Sequence, residues 1–177
     1  ENLQVYSNEI YLFGSRRGHG ESIWSIKQRI GYISSELQNR HPHNQTALDI
    51  VCTGYYGTMG LFRRCPDEKV QIAKEWMDIL GIASLTGEFF GRLSHGQKQL
   101  VLIARAMVKA PLLLILDEPC DGLDMANRKK IMDLLDLIGR HSGISLLYVP
   151  NQDDEMLSSI THVLQIKSGK ISVCTPN

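Results

Sequence analysis

Leu112-Leu113-Leu114-Ile115-Leu116 is an unbroken apolar run that gives way at once to Asp117-Glu118-Pro119. A run with no polar residue on either face predicts a strand covered on both sides, the usual situation in a parallel sheet. Its C-terminal end, where the two carboxylates stand, is where ligands sit in open α/β sheets. Such a strand needs parallel neighbours and covering helices, and the rest of the chain supplies both patterns.

Strand-like runs fall at 11–13, 30–33 and 145–149, and an apparent hairpin spans 163–166 and 170–173, turned by Ser168-Gly169. Helical spacing recurs over 22–29 (Ile23, Ile26, Ile30) and 46–52, and over 66–80 through Val70, Ala73, Trp76, Met77 and Leu80. Pro66, followed by Asp67 and Glu68, suits the first turn of that last helix, and Gly81 suits its end. Further helices are expected over 94–109, 125–140 and, briefly, 154–159. The stretches 40–45 and 55–65 read as loop or irregular surface. Strands alternating with helices predict an α/β fold on a parallel sheet.

Composition narrows the class. The 177 residues suffice for one domain, and 43% hydrophobic with 21% charged residues excludes a disordered, collagen-like or disulfide-scaffold chain. Lys plus Arg and Asp plus Glu number 19 each, so no global charge draws the chain to nucleic acid or an acidic membrane. The apolar run at 111–116 is far shorter than the about 20 residues a bilayer span needs. No basic-then-apolar leader opens the chain, and Glu1 reads as a cut end rather than a natural start. Cys52, Cys65, Cys120 and Cys174 include no CxxC pair, so they read as reduced thiols of a cytosolic protein.

Two motifs carry chemistry together. Leu93-Ser94-His95-Gly96-Gln97 directly precedes an apolar-periodic helix. Ser94 suits the cap of that helix, Gly96 allows close backbone approach, and a helix N-terminus attracts phosphate. About twenty residues on, the strand ending in Asp117-Glu118 is followed by Asp121-Gly122-Leu123-Asp124. Asp117 is suited to hold Mg²⁺ through water, and Glu118 to polarise an attacking water.

With these residues in view, the chain resembles the nucleotide-binding domain of the ATP-binding cassette (ABC) family. LSHGQ resembles the signature loop LSGGQ with His95 in place of glycine, 112–118 resembles the Walker B strand with its catalytic glutamate, and Gly122-Leu123-Asp124 resembles the D-loop. Tyr6-Ser7-Asn8, Leu12-Phe13-Gly14, Arg16-Arg17-Gly18, Gly20-Glu21, Ile23-Trp24 and Ile30-Gly31-Tyr32 resemble the second cassette of tandem ATPases of the ModF/PhrA type, associated with molybdenum transport or photorepair. The resemblance implies a P-loop NTPase-like parallel sheet flanked by helices, with ATP and Mg²⁺ as ligands and a head-to-tail partner cassette. It implies a helical subdomain and signature helix over about 41–110, and Walker B, D-loop and switch regions over 111–177. Ser94, His95, Gly96 and Gln97 would then face ATP, Glu118 and Asn151 would be catalytic, Asp117 would serve the metal, and Asp124 the D-loop.

The resemblance also defines departures. The sequence contains no G-x-x-x-x-G-K-[ST], which in the family precedes the strand at Tyr11, so 1–177 is expected to be a truncated cassette with negligible hydrolysis of its own. The family's strand before that loop lies between those at 145–149 and 163–166; without it the fragment is expected to be less stable and more aggregation-prone than a longer parent. The Q-loop amide falls at Ser35, and the switch histidine at Asn151, which cannot carry a cation or shuttle a proton. Two readings stay open: half of an ATPase, or a degenerate cassette that donates signature contacts. Any transport role needs separate membrane subunits, with the chain itself cytoplasmic or peripheral at the inner face of the plasma membrane.

Other candidates read as structural. His41-Pro42-His43 reads as a solvated loop, Asp153-Asp154-Glu155 as a helix start, Arg16-Arg17 and Arg63-Arg64 as surface pairs, and Trp24 and Trp76 as core. Residues 55–62 could dock a partner.

Overall fold

The computed structural model describes residues 9–16, 20–141, 143–151 and 156–176, with 172–176 described by backbone alone. Tyr6, Ser7, Asn8, Arg17, Gly18 and Asp153-Asp154-Glu155 lie outside the described residues. In chain order come β1 (Tyr11–Leu12), β2 (Ser15–Arg16), α1 (Ile23–Gln28), β3 (Ile30–Ser34), α2 (Leu37–Arg40) and α3 (Ala47–Cys52). They are followed by α4 (Asp67–Ile79), α5 (His95–Met107), β4 (Leu113–Asp117), α6 (Met125–His141), β5 (Ser145–Val149), β6 (His162–Lys167) and β7 (Lys170–Pro176).

The apolar run is the middle strand of a parallel sheet in the order β3-β4-β5. Its register sets Ser34 beside Asp117 and Asp117 beside Val149, so the three strands end abreast. The expected strand at 11–13 is instead one arm of a small hairpin with β2, turned by Phe13 and Gly14 at positive φ. The hairpin β6–β7 turns at Ser168-Gly169, both at positive φ, which matches the twist of a two-residue turn. Among the described residues β5 pairs only with β4, and a cleft of about 450 Å³ separates it from residues 159–162.

Helix α5 is the centre of the core. Leu100, Val101, Leu102, Ile103, Ala104, Ala106 and Met107 are all buried, so the helix is apolar nearly all round and is covered on every side. β3 meets it from the sheet, and α3 and α4 from the helical part. Each fully buried Leu or Ile contributes about 1.5–3 kcal/mol of burial free energy. Arg105 fastens the irregular stretch after α3 to this helix, donating from Nε to Thr53 Oγ1 at 2.8 Å and from Nη2 to the Thr58 carbonyl at 3.0 Å.

Three expectations need correction. Trp24 is 54% exposed rather than core, because the six-residue α1 buries only Ile26. Trp76 is partly buried against the core. Of the short helix expected at 154–159, residues 154–155 lie outside the described residues, 156–157 are irregular and 158–159 form a turn.

His41 is the third. It is 2% exposed rather than solvated, its ring edge-on to Phe90, while His43 is exposed. A carbonyl can only accept, so Nδ1 carries the proton and donates to Met59 O at 2.6 Å. Nε2 is buried with no partner, and a second proton there would be an unpaired cation. Burial, and next the nearby Arg105, lower the His41 pKa to about 4. In the unfolded chain it titrates near 6.5, so the unfolded state binds the extra proton first and stability falls as pH drops from about 6.5 towards 4. Urea unfolding of the wild type is therefore expected to lose midpoint across that window more steeply than His41→Gln. Parallel profiles would remove His41 from the account.

Candidate functional site

The strand ends gather the predicted carboxylates. Asp117 closes β4, and Tyr32, two residues before the end of β3, donates its hydroxyl to Asp117 Oδ2 at 3.2 Å. Glu118 follows in the left-handed region, φ 49°, with its N–H donating to the Val149 carbonyl at 2.9 Å. A non-glycine residue held there costs about 1–3 kcal/mol and marks a backbone fixed by its surroundings. The bond to Val149 and the acceptance by the Glu118 carbonyl of the Asp121 N–H at 3.1 Å hold it in place. Ser35 sits in the turn directly after β3, partly exposed. On the other side of β4, Asn151 follows β5 and donates from Nδ2 to Asp121 Oδ1 at 3.0 Å.

The second motif forms the start of α5. Ser94 is the N-cap: its Oγ accepts from Gln97 N at 3.3 Å, and the Gln97 side chain accepts from Ser94 N at 2.9 Å. This reciprocal pair holds the first turn open at its N-terminal end, where unsatisfied N–H groups favour an anion. Gly96 serves contact with α6 as well. A Cβ on it would lie 2.9 Å from Asn127 Cγ. Asn127 is itself fixed, because its backbone N and Nδ2 donate to the two oxygens of Asp124 at 2.9 and 2.6 Å. Those donors hold the Asp124 carboxyl below its ordinary range, the backbone N–H of Asn127 contributing most. Asp124 thereby caps α6 and joins it to the Gly122-Leu123-Asp124 turn. His95 is exposed, with Nε2 2.9 Å from the Asp121 carbonyl.

Several residues here escaped the sequence reading. Tyr32 lay in a strand that read as apolar. Gln38 is buried at 4% exposure, with its amide 2.8 Å from Gln99 and 3.4 Å from His95 Nε2. The one available signal was Gln99, a polar residue on the inward face of an otherwise apolar helix. Although Gln38 is near Ser35 in sequence, its amide is committed to α5.

A Mg²⁺ site can be tested on the donor set. Among the described residues no group of three or more His, Cys, Asp or Glu side chains forms a protein cage for a metal. Asp117 offers one carboxylate at a strand end, and that fits Mg²⁺, which binds through one or two carboxylates plus substrate phosphates and water. Among the described residues no helix is long and apolar enough to cross a membrane.

Carboxylates at abreast strand ends, with a capped helix start elsewhere on the same α/β fold, are the arrangement of the nucleotide-binding cassette class. A family model described as ABC transporter matches residues 1–121, and the chain belongs to that family. The ABC transporter ATP-binding protein ModF of Escherichia coli K12 is 42% identical over 166 residues, 93% of this chain and 34% of that protein. The molybdenum import ATP-binding protein ModC of Photobacterium profundum is 30% identical over 148 residues, 83% of this chain and 38% of that protein. Among solved structures, cbiO1 from Clostridium perfringens, part of the ABC transporter complex cbiONQ, matches with a TM-score of 0.79 at 24% identity, over 95% of this chain and 65% of that chain. The chain thus spans about a third of the length of ModF.

Gly96→Ala is expected to push Asn127 off Asp124 and to cost about 1–3 kcal/mol. In a double-mutant cycle, Asn127→Ala should absorb most of that loss, because it removes the atoms the new methyl meets. Additive losses in urea unfolding would show that the two residues do not oppose each other.

Proposed function

We propose that this chain supplies the Walker B, signature and D-loop elements of an ATP-hydrolysing cassette, acting with a second cassette head to tail. The observation that carries the reading is the strand register that sets Asp117 and Glu118 between Ser35 and Asn151 at one end of the sheet. In the proposed roles Glu118 orients and polarises the attacking water, and Asp117 faces the magnesium of the nucleotide. The bound MgATP supplies the phosphoryl group and the leaving diphosphate. Asn151 can donate a hydrogen bond to a phosphate oxygen after releasing Asp121, but it moves no proton. Ser94, Gly96 and Gln97 serve through the N-terminus of α5, which favours a phosphate held by the partner cassette. The head-to-tail arrangement is the one the family resemblance implies, with the signature residues of one cassette serving the phosphates held by the other.

The proposed division is a helical subdomain with the signature helix over about 41–110, followed by the Walker B, D-loop and switch regions over 111–177. The likeness to ModF and ModC supports a tandem ATPase in molybdenum handling, with membrane subunits as further partners if transport is the role, and a place in the cytoplasm. A second reading is favoured by one observation: Asn151 is bonded to Asp121, and Ser35 is too short to supply the amide usual there. In that reading the cassette binds ATP, does not turn it over, and lends its signature to its partner.

The deciding experiment measures MgATP binding and hydrolysis by the 177-residue chain and by a version extended upstream through a phosphate loop. The extended form is expected to hydrolyse ATP and the 177-residue chain is not. Glu118→Gln in the extended form should lower kcat by about 100-fold or more, as loss of a general base does. Binding without hydrolysis in the extended form would establish the second reading.

A further inference from the structure

His95 is the residue at which the signature-like motif departs from glycine, and its exposed side chain meets the 121–122 turn. The Asp121 carbonyl can only accept, so the 2.9 Å contact requires His95 Nε2 to carry a proton. The Nε2 end of the ring also lies beside Gly122, where a Cβ would come within 3.4–3.8 Å of three ring atoms. Gly122 itself is at φ 67°, a conformation that favours glycine.

The contact extends on both sides. The Gln38 amide stands 3.4 Å from the same His95 nitrogen, and Gln99 Nε2 is buried without an acceptor as drawn. Exchanging oxygen and nitrogen in both amides lets Gln38 Oε1 accept from Gln99 Nε2 at 2.8 Å and share the His95 Nε2–H at 3.4 Å, so that no two donors face each other. At the other end Asp121 Oδ1 accepts from Asn151. A continuous polar chain thus runs Gln99, Gln38, His95, Asp121, Asn151. It joins α5, the segment after β3, the turn at 121–124 and the segment after β5.

We propose that His95 is a positioning residue that tethers the 121–124 turn to the first turn of α5, so that the signature-like and D-loop-like elements move as one body. A glycine at 95 offers no donor, leaves the Asp121 carbonyl to water and lets the two elements move separately. The tether stands on geometry alone; its consequence for ATP turnover rests on the proposed function.

The test uses the full-length protein with His95→Gly, His95→Phe and His95→Gln. The readout is hydrogen exchange of the Asp121 and Leu123 amides, which bond to the Glu118 and Cys120 carbonyls at 3.1 and 3.3 Å within the turn. Loss of one such hydrogen bond is expected to speed their exchange about two- to tenfold in the Gly and Phe variants. His95→Gln, whose amide can still donate, should stay near the wild type. Nitrogen NMR of the wild type should find the Nε2–H form. Full protection in His95→Phe would assign the effect to ring packing and overturn the tether, as would unchanged exchange in His95→Gly or an Nδ1–H ring. These outcomes are read without ATP hydrolysis, so an inactive protein would defeat the proposed function and leave the tether to be judged on exchange. In an active protein, loss of the tether is expected to lower kcat with KM nearly unchanged.

Discussion

The parallel register of β3, β4 and β5 is the constraint from which the site follows. Pairing Ser34 with Asp117 and Asp117 with Val149 brings the residues after each strand into one row. A one-residue slip of β4 would turn its carboxylates to the opposite face and remove the row. The register is held by burial rather than by the site itself. Leu114 and Leu116 are fully buried, and α5 packs its apolar surface against β3. Glu118 shows the cost of arriving there: the chain leaves the strand through a left-handed residue, tied back by its N–H to the Val149 carbonyl.

What could be read beforehand was whatever one residue type or one period carries. The unbroken run at 112–116 announced a covered strand, and Ser94 with Gln97 three residues later announced a helix start. The helix over 66–80 was legible in the same way, because its buried stripe of Ala73, Met77 and Leu80 follows the helical period. Other features were hidden because they depend on distant partners. His41 sits in a polar stretch that looks solvated, yet the Met59 carbonyl and Phe90 close around it. Trp24 carries a core-like side chain on a helix too short to bury it. Tyr32 and Gln38 gain their meaning only when β3 meets β4 and α2 meets α5, which no local pattern encodes.

The same geometry gives the departures from the family pattern a physical sense. Gln38, close to Ser35 in sequence, is turned inward to Gln99. Asn151 takes up a hydrogen bond with Asp121, so the segment after β5 is linked to the turn that begins α6. His95 reaches that turn from the signature side. Asn151 and His95 therefore meet at Asp121, one on its carboxylate and the other on its carbonyl.

The central claim is that both the strand ends and the start of α5 lie at the γ-phosphate of bound ATP, the first in this cassette and the second across a partner. An ATP analogue carrying a photoreactive group on its γ-phosphate, bound to the full-length protein with Mg²⁺, tests this directly when the labelled peptides are mapped. The account predicts label on residues 94–97 and on residues 117–118. Label confined to other segments, with both of these unmodified, would contradict it.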